Sequence, residues 1–279
     1  MSSMPVENRE GTRGDMKILF VGDIVGGPGR MAMARVATRY KASGRADVVI
    51  ANAENSAAGR GITEALAEEL FAGGADILTM GDHVWDQKQA VGYIDQESRI
   101  VRALNLPPGC PGKGAAVLQT EAGPLAVVQL MGRTFMKSMA DCPFRAIDAW
   151  LKNNASQYRM IFVDMHAEAT SEKVAMGKFL DGRVSAVIGT HTHIQTADEA
   201  VSAKGTAYLT DAGMTGPCDS VIGRTTEAIL ERFLTGMPTK FEIAGGDVRL
   251  HGALVTLNPT TGKALKIKRV EEIIATGNR

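Results

Sequence analysis

The chain has 279 residues, 44% of them hydrophobic and 22% charged, which is enough for a sizeable buried core of α/β type. Thirty-one Lys and Arg offset 31 Asp and Glu, so no net field draws it to nucleic acid or to an anionic membrane, and stable nucleic-acid binding is not expected. Three separated cysteines, Cys110, Cys142 and Cys218, argue against a disulfide framework or a thiolate zinc site, and no apolar run reaches the roughly 18–20 residues of a membrane helix, so a cytoplasmic protein is expected.

Residues 1–15 mix Ser, Pro, Gly and charge without periodicity and predict a flexible N-terminal extension, with 16–279 as a single domain. From Lys17 onward, short apolar runs alternate with amphipathic stretches. The runs 17–22, 46–51, 75–80, 160–165 and 184–189 are too short for helices and rich in Val and Ile, as strands covered on both faces are. Helices are predicted over 29–42, over 63–72 with Thr63 as N-cap, over 143–152 and over 171–180. Runs 115–120 and 125–130 flank the turn 121–124 and read as a hairpin. Later, 206–210, 240–243, 248–257 and 264–268 read as strands of an antiparallel portion. These elements predict a layered α/β/α sandwich with a mixed central sheet.

Ligands in open α/β sheets gather at the carboxyl ends of strands, so the residues leaving each apolar run carry the functional signal. They are Gly22-Asp23, Asn52-Ala53-Glu54-Asn55, Gly81-Asp82-His83, His166-Ala167-Glu168 and His191-Thr192-His193. Four of the five histidines stand at these exits; His251 follows a late strand and reads as structural. His191 and His193, two apart, would point to one side in an extended segment. Carboxylate and imidazole donors without thiolate have the composition of a catalytic metal centre, and six or seven donors exceed what one ion uses but suit two. The glycine-rich 22–29 is neither a dinucleotide fingerprint nor a phosphate loop, and its glycines are expected to let the backbone pass close to the metal. Arg133 is a candidate for substrate phosphate, Glu168 and Thr170 for the cleft wall.

These residues resemble the dimetal motifs of calcineurin-like metallophosphoesterases. The stretches GDIVGGPGR, ANAENSAAGRGIT, LTMGDHVWD, PFRAID, DMHAEATSEK, VIGTHTHIQTAD and TDAGMTGPCDSVIG are similar to the YmdB-type family from Met16 to about residue 272. The resemblance implies a four-layer α/β/β/α sandwich with mixed sheets. It also implies a phosphodiesterase acting on 2′,3′-cyclic nucleotides or related phosphodiesters with two metal ions, iron or manganese before zinc or magnesium. Carried over, Asp23, Glu54, Asn55 and His193 would hold one ion, and Asp82, His166 and His191 the other, with Glu54 bridging. A metal-bridging hydroxide would attack phosphorus and His83 would be the general acid. The family's usual Gly-Asn-His is Gly81-Asp82-His83 in this chain, which adds a carboxylate and favours a ferric or similarly hard ion. That departure also leaves open a regulatory or scaffold role that keeps the metal fold. A homo-oligomer is a further expectation.

Overall fold

In the computed structural model, which describes residues 14–275, each central apolar run becomes a strand with almost every residue buried. The elements in chain order begin with β1 (Met16–Val21), β2 (Asp23–Ile24), α1 (Gly26–Ala42), β3 (Val48–Asn52), α2 (Glu64–Ala72), β4 (Ile77–Thr79), α3 (Val91–Gln96) and β5 (Ile100–Val101). They continue with β6 (Ala115–Thr120), β7 (Gly123–Met131), α4 (Pro143–Asn154), β8 (Met160–His166), α5 (Thr170–Phe179), β9 (Ala186–Thr190) and β10 (Ala200–Val201). The last are β11 (Ala207–Leu209), β12 (Met214–Pro217), α6 (Thr226–Thr235), β13 (Val248–Leu257) and β14 (Ala264–Ile273). The predicted extension over 1–15 lies, apart from its last two residues, outside the described residues.

The strands form two sheets. The first runs β2-β12-β13-β1-β3-β4-β5 with β14 added against β13; β1, β3, β4 and β5 are parallel, while β13 is antiparallel to β1, β12 and β14. The second runs β10-β11-β9-β8-β7-β6, parallel from β11 to β7 with antiparallel edges.

Successive strand residues point to opposite faces, so a strand apolar at every position needs cover on both. Ile18 and Phe20 of β1 and Ile50 of β3 meet Leu125, Val127 and Phe162 of the second sheet between the sheets. Leu19, Val21 and Val49 turn outward to Met33, Val36 and Leu70 of α1 and α2. Val128, Ile161 and Val163 face Ile147, Leu151 and Met176 of α4 and α5. The result is an α/β/β/α sandwich of four layers with mixed sheets, as the resemblance implied.

The residue-by-residue reading of one central sheet is corrected: β1, β3 and β4 lie in the first sheet, β8 and β9 in the second. Apolar residues at every position report that both faces are covered, not whether by helix or by sheet. Residues 240–243 make no strand but a single bridge, Arg224 to Ile243. Residues 207–209 pair parallel to β9 rather than antiparallel. α6 escapes the pattern because only its Ile229 is buried, with Leu230, Phe233 and Leu234 exposed. The helix starts fare better: Thr63 Oγ1 accepts from Leu66 N at the start of α2, and Pro143 opens α4.

Phe20 and Phe162 join the sheets, ring centroids 5.1 Å apart. Phe162→Ala is expected to cost about 3–5 kcal/mol in equilibrium urea unfolding, as truncation of a buried aromatic does. A loss under about 1 kcal/mol would show that the inter-sheet contact is not a main core.

Candidate metal centre

All the strand exits singled out by sequence meet at one end of the sandwich, where β1, β3 and β4 of one sheet come up against β8 and β9 of the other. Glu54, Asp82, His166 and His191 each offer one ligand atom, and these atoms lie within 4.8 Å of one another, so the four could hold a metal ion. His166 Nε2 is 3.2 Å from Glu54 Oε1, 3.1 Å from Asp82 Oδ1 and 3.1 Å from His191 Nδ1. Backbone close approach makes this possible: a Cβ on Gly81 would stand 2.2 Å from both Glu54 Oε2 and His166 Nε2. The glycine that lets the chain pass the centre is therefore Gly81. Gly22, expected to do so, instead packs on the Gly213 carbonyl, 2.0 Å from where its Cβ would be.

The second group of donors lies beside the first. His193 Nε2 is 3.2 Å from Asn55 Oδ1, and Asn55 Nδ2 donates to Gly59 O at 3.1 Å, which turns Oδ1 toward the histidine. Asp23 is fully buried on β2; Oδ2 accepts from His191 N at 3.2 Å and Oδ1 has no hydrogen-bond partner. Asp23 caps no helix, since Val25 occupies the N-cap of α1. A buried carboxylate oxygen left without a partner fits a cation that would satisfy it, and hard oxygen with imidazole suits iron, manganese or zinc.

The expected extended path through His191 and His193 is not found. Both have positive φ, 101° and 65°, and their rings diverge, His191 toward His166 and His193 toward Asn55. Each such backbone costs roughly 1–3 kcal/mol and needs support from its surroundings. Thr192 between them supplies it, its N and Oγ1 donating to Asp211 Oδ2 at 3.1 and 2.7 Å. Asp211 is in turn held by the buried Lys173 at 2.6 Å and by Gly213 N at 2.8 Å. Ile222 O takes His193 Nδ1 at 3.1 Å, which leaves Nε2 as the ring's free lone pair.

Sequence reasoning missed Lys173, Asp211 and the residues behind His166. Asp164, fully buried on β8, accepts from Thr79 Oγ1 (2.6 Å), Thr190 Oγ1 (2.7 Å) and Asn52 Nδ2 (3.3 Å), so one carboxylate ties both sheets together. Because Thr190 donates its proton to Asp164, its oxygen accepts from His166 Nδ1 at 2.9 Å, and Nε2 is the ring nitrogen turned toward Glu54 and Asp82. A period-two pattern carries no mark for this: Asp164 sits inside an apolar run and looks like an interruption.

His83 N donates to Glu54 Oε2 at 3.2 Å and its Nδ1 meets Asp86 Oδ2 at 2.9 Å. Glu168 Oε2 reaches His191 Nε2 at 3.2 Å. The Arg133 side chain is exposed; its backbone N, with that of Thr134, donates to the Glu172 carboxylate. His251 Nδ1 meets Met214 O at 3.0 Å, a structural contact away from the cluster.

Burial and close approach make these carboxylates and imidazoles shift one another's ionisation. Burial, followed by repulsion from Glu54 and Asp211, outweighs the attraction of His166 and pushes Asp23 up to about 7. Burial also opposes ionisation of Glu54 and Asp82, but His166 and other neighbouring imidazoles hold both below the ordinary range. Burial opposes the charged form of His166 too, yet Glu54 and Asp82 raise it well above the usual value. Burial lowers His193.

A family model described as YmdB-like protein matches residues 19–270. The chain is 45% identical over 255 residues to a 2′,3′-cyclic-nucleotide 2′-phosphodiesterase of Bacillus subtilis strain 168, covering 91% of this chain and 96% of that one. Among solved structures, a hypothetical protein from Thermus thermophilus is similar with a TM-score of 0.87 and 41% identity, covering 92% of this chain and 99% of that one. A novel phosphatase from Mycoplasma pneumoniae is similar with a TM-score of 0.88 and 32% identity, covering 93% and 94%.

Thr190→Val removes the acceptor for His166 Nδ1 and is expected to weaken metal affinity about 10–100-fold, measured by competition with a chelating dye. For Asp23, the unfolded carboxyl ionises near 3.8 and the folded one near 7. Between these values the unfolded state sheds its proton first, so metal-free stability contributed by this group is full below pH 4 and falls as pH rises toward 7. Asp23→Asn is therefore expected to raise the melting temperature of metal-free protein at pH 8, with the gain shrinking toward pH 4. A lower melting temperature at pH 8 would contradict this.

Proposed function

The chain belongs to the YmdB-like family, and on that premise we propose that it is a dimetal phosphodiesterase acting on 2′,3′-cyclic nucleotides or related small phosphodiesters. The observation that carries the reading is the close approach of Glu54, Asp82, His166 and His191, with Asp23, Asn55 and His193 beside them. In the proposed assignment Asp23, Glu54, Asn55 and His193 would hold one ion, and Asp82, His166 and His191 the other, with Glu54 contributing to both. Its carboxylate acts electrostatically on Asp23, His166 and His193, as a group placed between two sites does. Iron and manganese fit this donor set, and the carboxylate at Asp82 favours a trivalent ion in its site.

When bound, two such cations would supply a water nucleophile at neutral pH and offset charge on the phosphate oxygens. The protein's own contribution is orientation and proton delivery. Thr190 and Ile222 O fix which nitrogen of His166 and of His193 is presented. Asp86 holds His83 by Nδ1, which would leave Nε2 to pass a proton to the departing alkoxide, and the bond from His83 N to Glu54 keeps the residue beside the metal-ligand cluster.

We place residues 16–279 in a single domain, a reading supported by β1 and β14, from the two ends of the chain, pairing with the same strand β13. No helix among the described residues is long and apolar enough to cross a membrane, and a cytoplasmic location is proposed.

A phosphodiester panel on metal-loaded protein, with elemental analysis of the same sample, tests the reading. Turnover of 2′,3′-cyclic nucleotides is expected. His83→Ala is expected to retain metal and lose rate by about 10²–10⁴; undiminished turnover would remove His83 from its role. Asp82→Asn is expected to shift the bound metal from ferric iron toward divalent ions, and an unchanged metal content and rate would remove the valence argument.

A further inference from the structure

Among the described residues, Arg60 and Arg224, near this centre, have no carboxylate partner. Arg224 Nη1 and Nη2 donate to the carbonyls of Ala58 and Gly59, both at 3.1 Å. Gly59 O also accepts from Asn55 Nδ2 at 3.1 Å, so the guanidinium lies one carbonyl away from Asn55. Arg60 is the next residue. Its own carbonyl accepts from Gln87 Nε2 at 2.9 Å, in the loop that carries His83, and a Cβ on the adjoining Gly61 would lie 3.2 Å from His83 O. Arg224 thus stands beside Asn55, while Arg60 adjoins the loop that carries His83 and lies near enough for its charge to act on Arg224.

Among the described residues no carboxylate pairs with either guanidinium, and that of Arg60 makes no hydrogen bond. Carboxylates are not scarce: acidic and basic residues are equal in number, and Arg30, Arg99, Arg183 and Arg249 are each paired with Glu69, Glu97, Asp148 and Asp247. Burial first, and then the Arg60 charge, make the Arg224 cation less favourable than usual. Like charges side by side are tolerated where an anion is to be received between them. Asn55 turns Oδ1 toward His193 and Nδ2 toward the Gly59 carbonyl that Arg224 also contacts, so the scissile phosphate, which the proposed cations would meet, is not the anion these arginines would receive.

We propose that Arg60 and Arg224 form an anion subsite for a second phosphate on the substrate, so that the chain prefers phosphodiesters carrying an additional phosphate, such as a 5′-phosphorylated nucleotide or a dinucleotide. Arg224 is held rigidly by two carbonyls, while Arg60 is free to close on the incoming group. The inference rests on the phosphodiesterase reading for the identity of the substrate but not for the existence of the subsite.

Isothermal titration of metal-loaded protein with adenosine 3′-phosphate and adenosine 3′,5′-bisphosphate separates the two. The wild type is expected to bind the bisphosphate about tenfold more tightly, the scale of one or two charge-assisted hydrogen bonds. In Arg60→Gln, which removes no hydrogen bond or ion pair among the described residues, that ratio is expected to fall to about threefold, half of the preference in free energy going with one of its two charges. Equal affinities in the wild type would overturn the proposal, as would a ratio that persists in Arg60→Gln, the result expected if the arginine served the scissile phosphate instead. Absence of turnover on the phosphodiester panel would count against the catalytic reading, and the affinity ratio would still decide the subsite.

Discussion

Four carboxylates, Asp23, Glu54, Asp82 and Asp164, converge where the carboxyl ends of the two sheets meet, and three of them are shut off from water. Ionised groups so placed are tolerated only when opposite charge or strong hydrogen bonds meet them. Asp164 is met by three donors from three strands and can stay where it is without a cation. Asp23 receives a single backbone bond on one oxygen and none on the other. Between these extremes the protein separates a carboxylate that braces the fold from one left open to a ligand.

The same separation explains the supporting polar network. A histidine presents a lone pair reliably only if its other nitrogen is held, and His166 and His193 are held by different means, one by Thr190 and one by the carbonyl of Ile222. The turn that offers Ile222 also brings in Arg224, which bonds to the carbonyl that orients Asn55. One short segment late in the chain therefore organises a histidine, an asparagine and a positive charge, reaching back 29 residues to His193 and 165 to Gly59.

Strain in the His191-Thr192-His193 loop has a comparable origin. Spreading two neighbouring rings onto different partners forces positive φ at both histidines, and the loop is restrained by the buried Lys173–Asp211 pair. Breaking one member of such a pair strands the other in the interior, so its role is best seen as enforcing a single loop conformation rather than adding net stability.

Much of this was legible in the linear chain. Apolar runs of strand length marked β1, β3, β4, β8 and β9, the N-cap Thr63 marked the start of α2, and a His or carboxylate at each exit marked one end of the sheets as the chemical end. These signals are local: they depend on the side-chain period of two, on capping chemistry, and on the direction a parallel strand runs. What the tertiary structure alone decided was non-local. Which strand goes to which sheet, the splayed histidines, Asp164 as a brace, and the reach of Arg224 to Gly59 all arise from contacts between distant segments, and hydrophobicity along a chain records that a face is covered without recording what covers it.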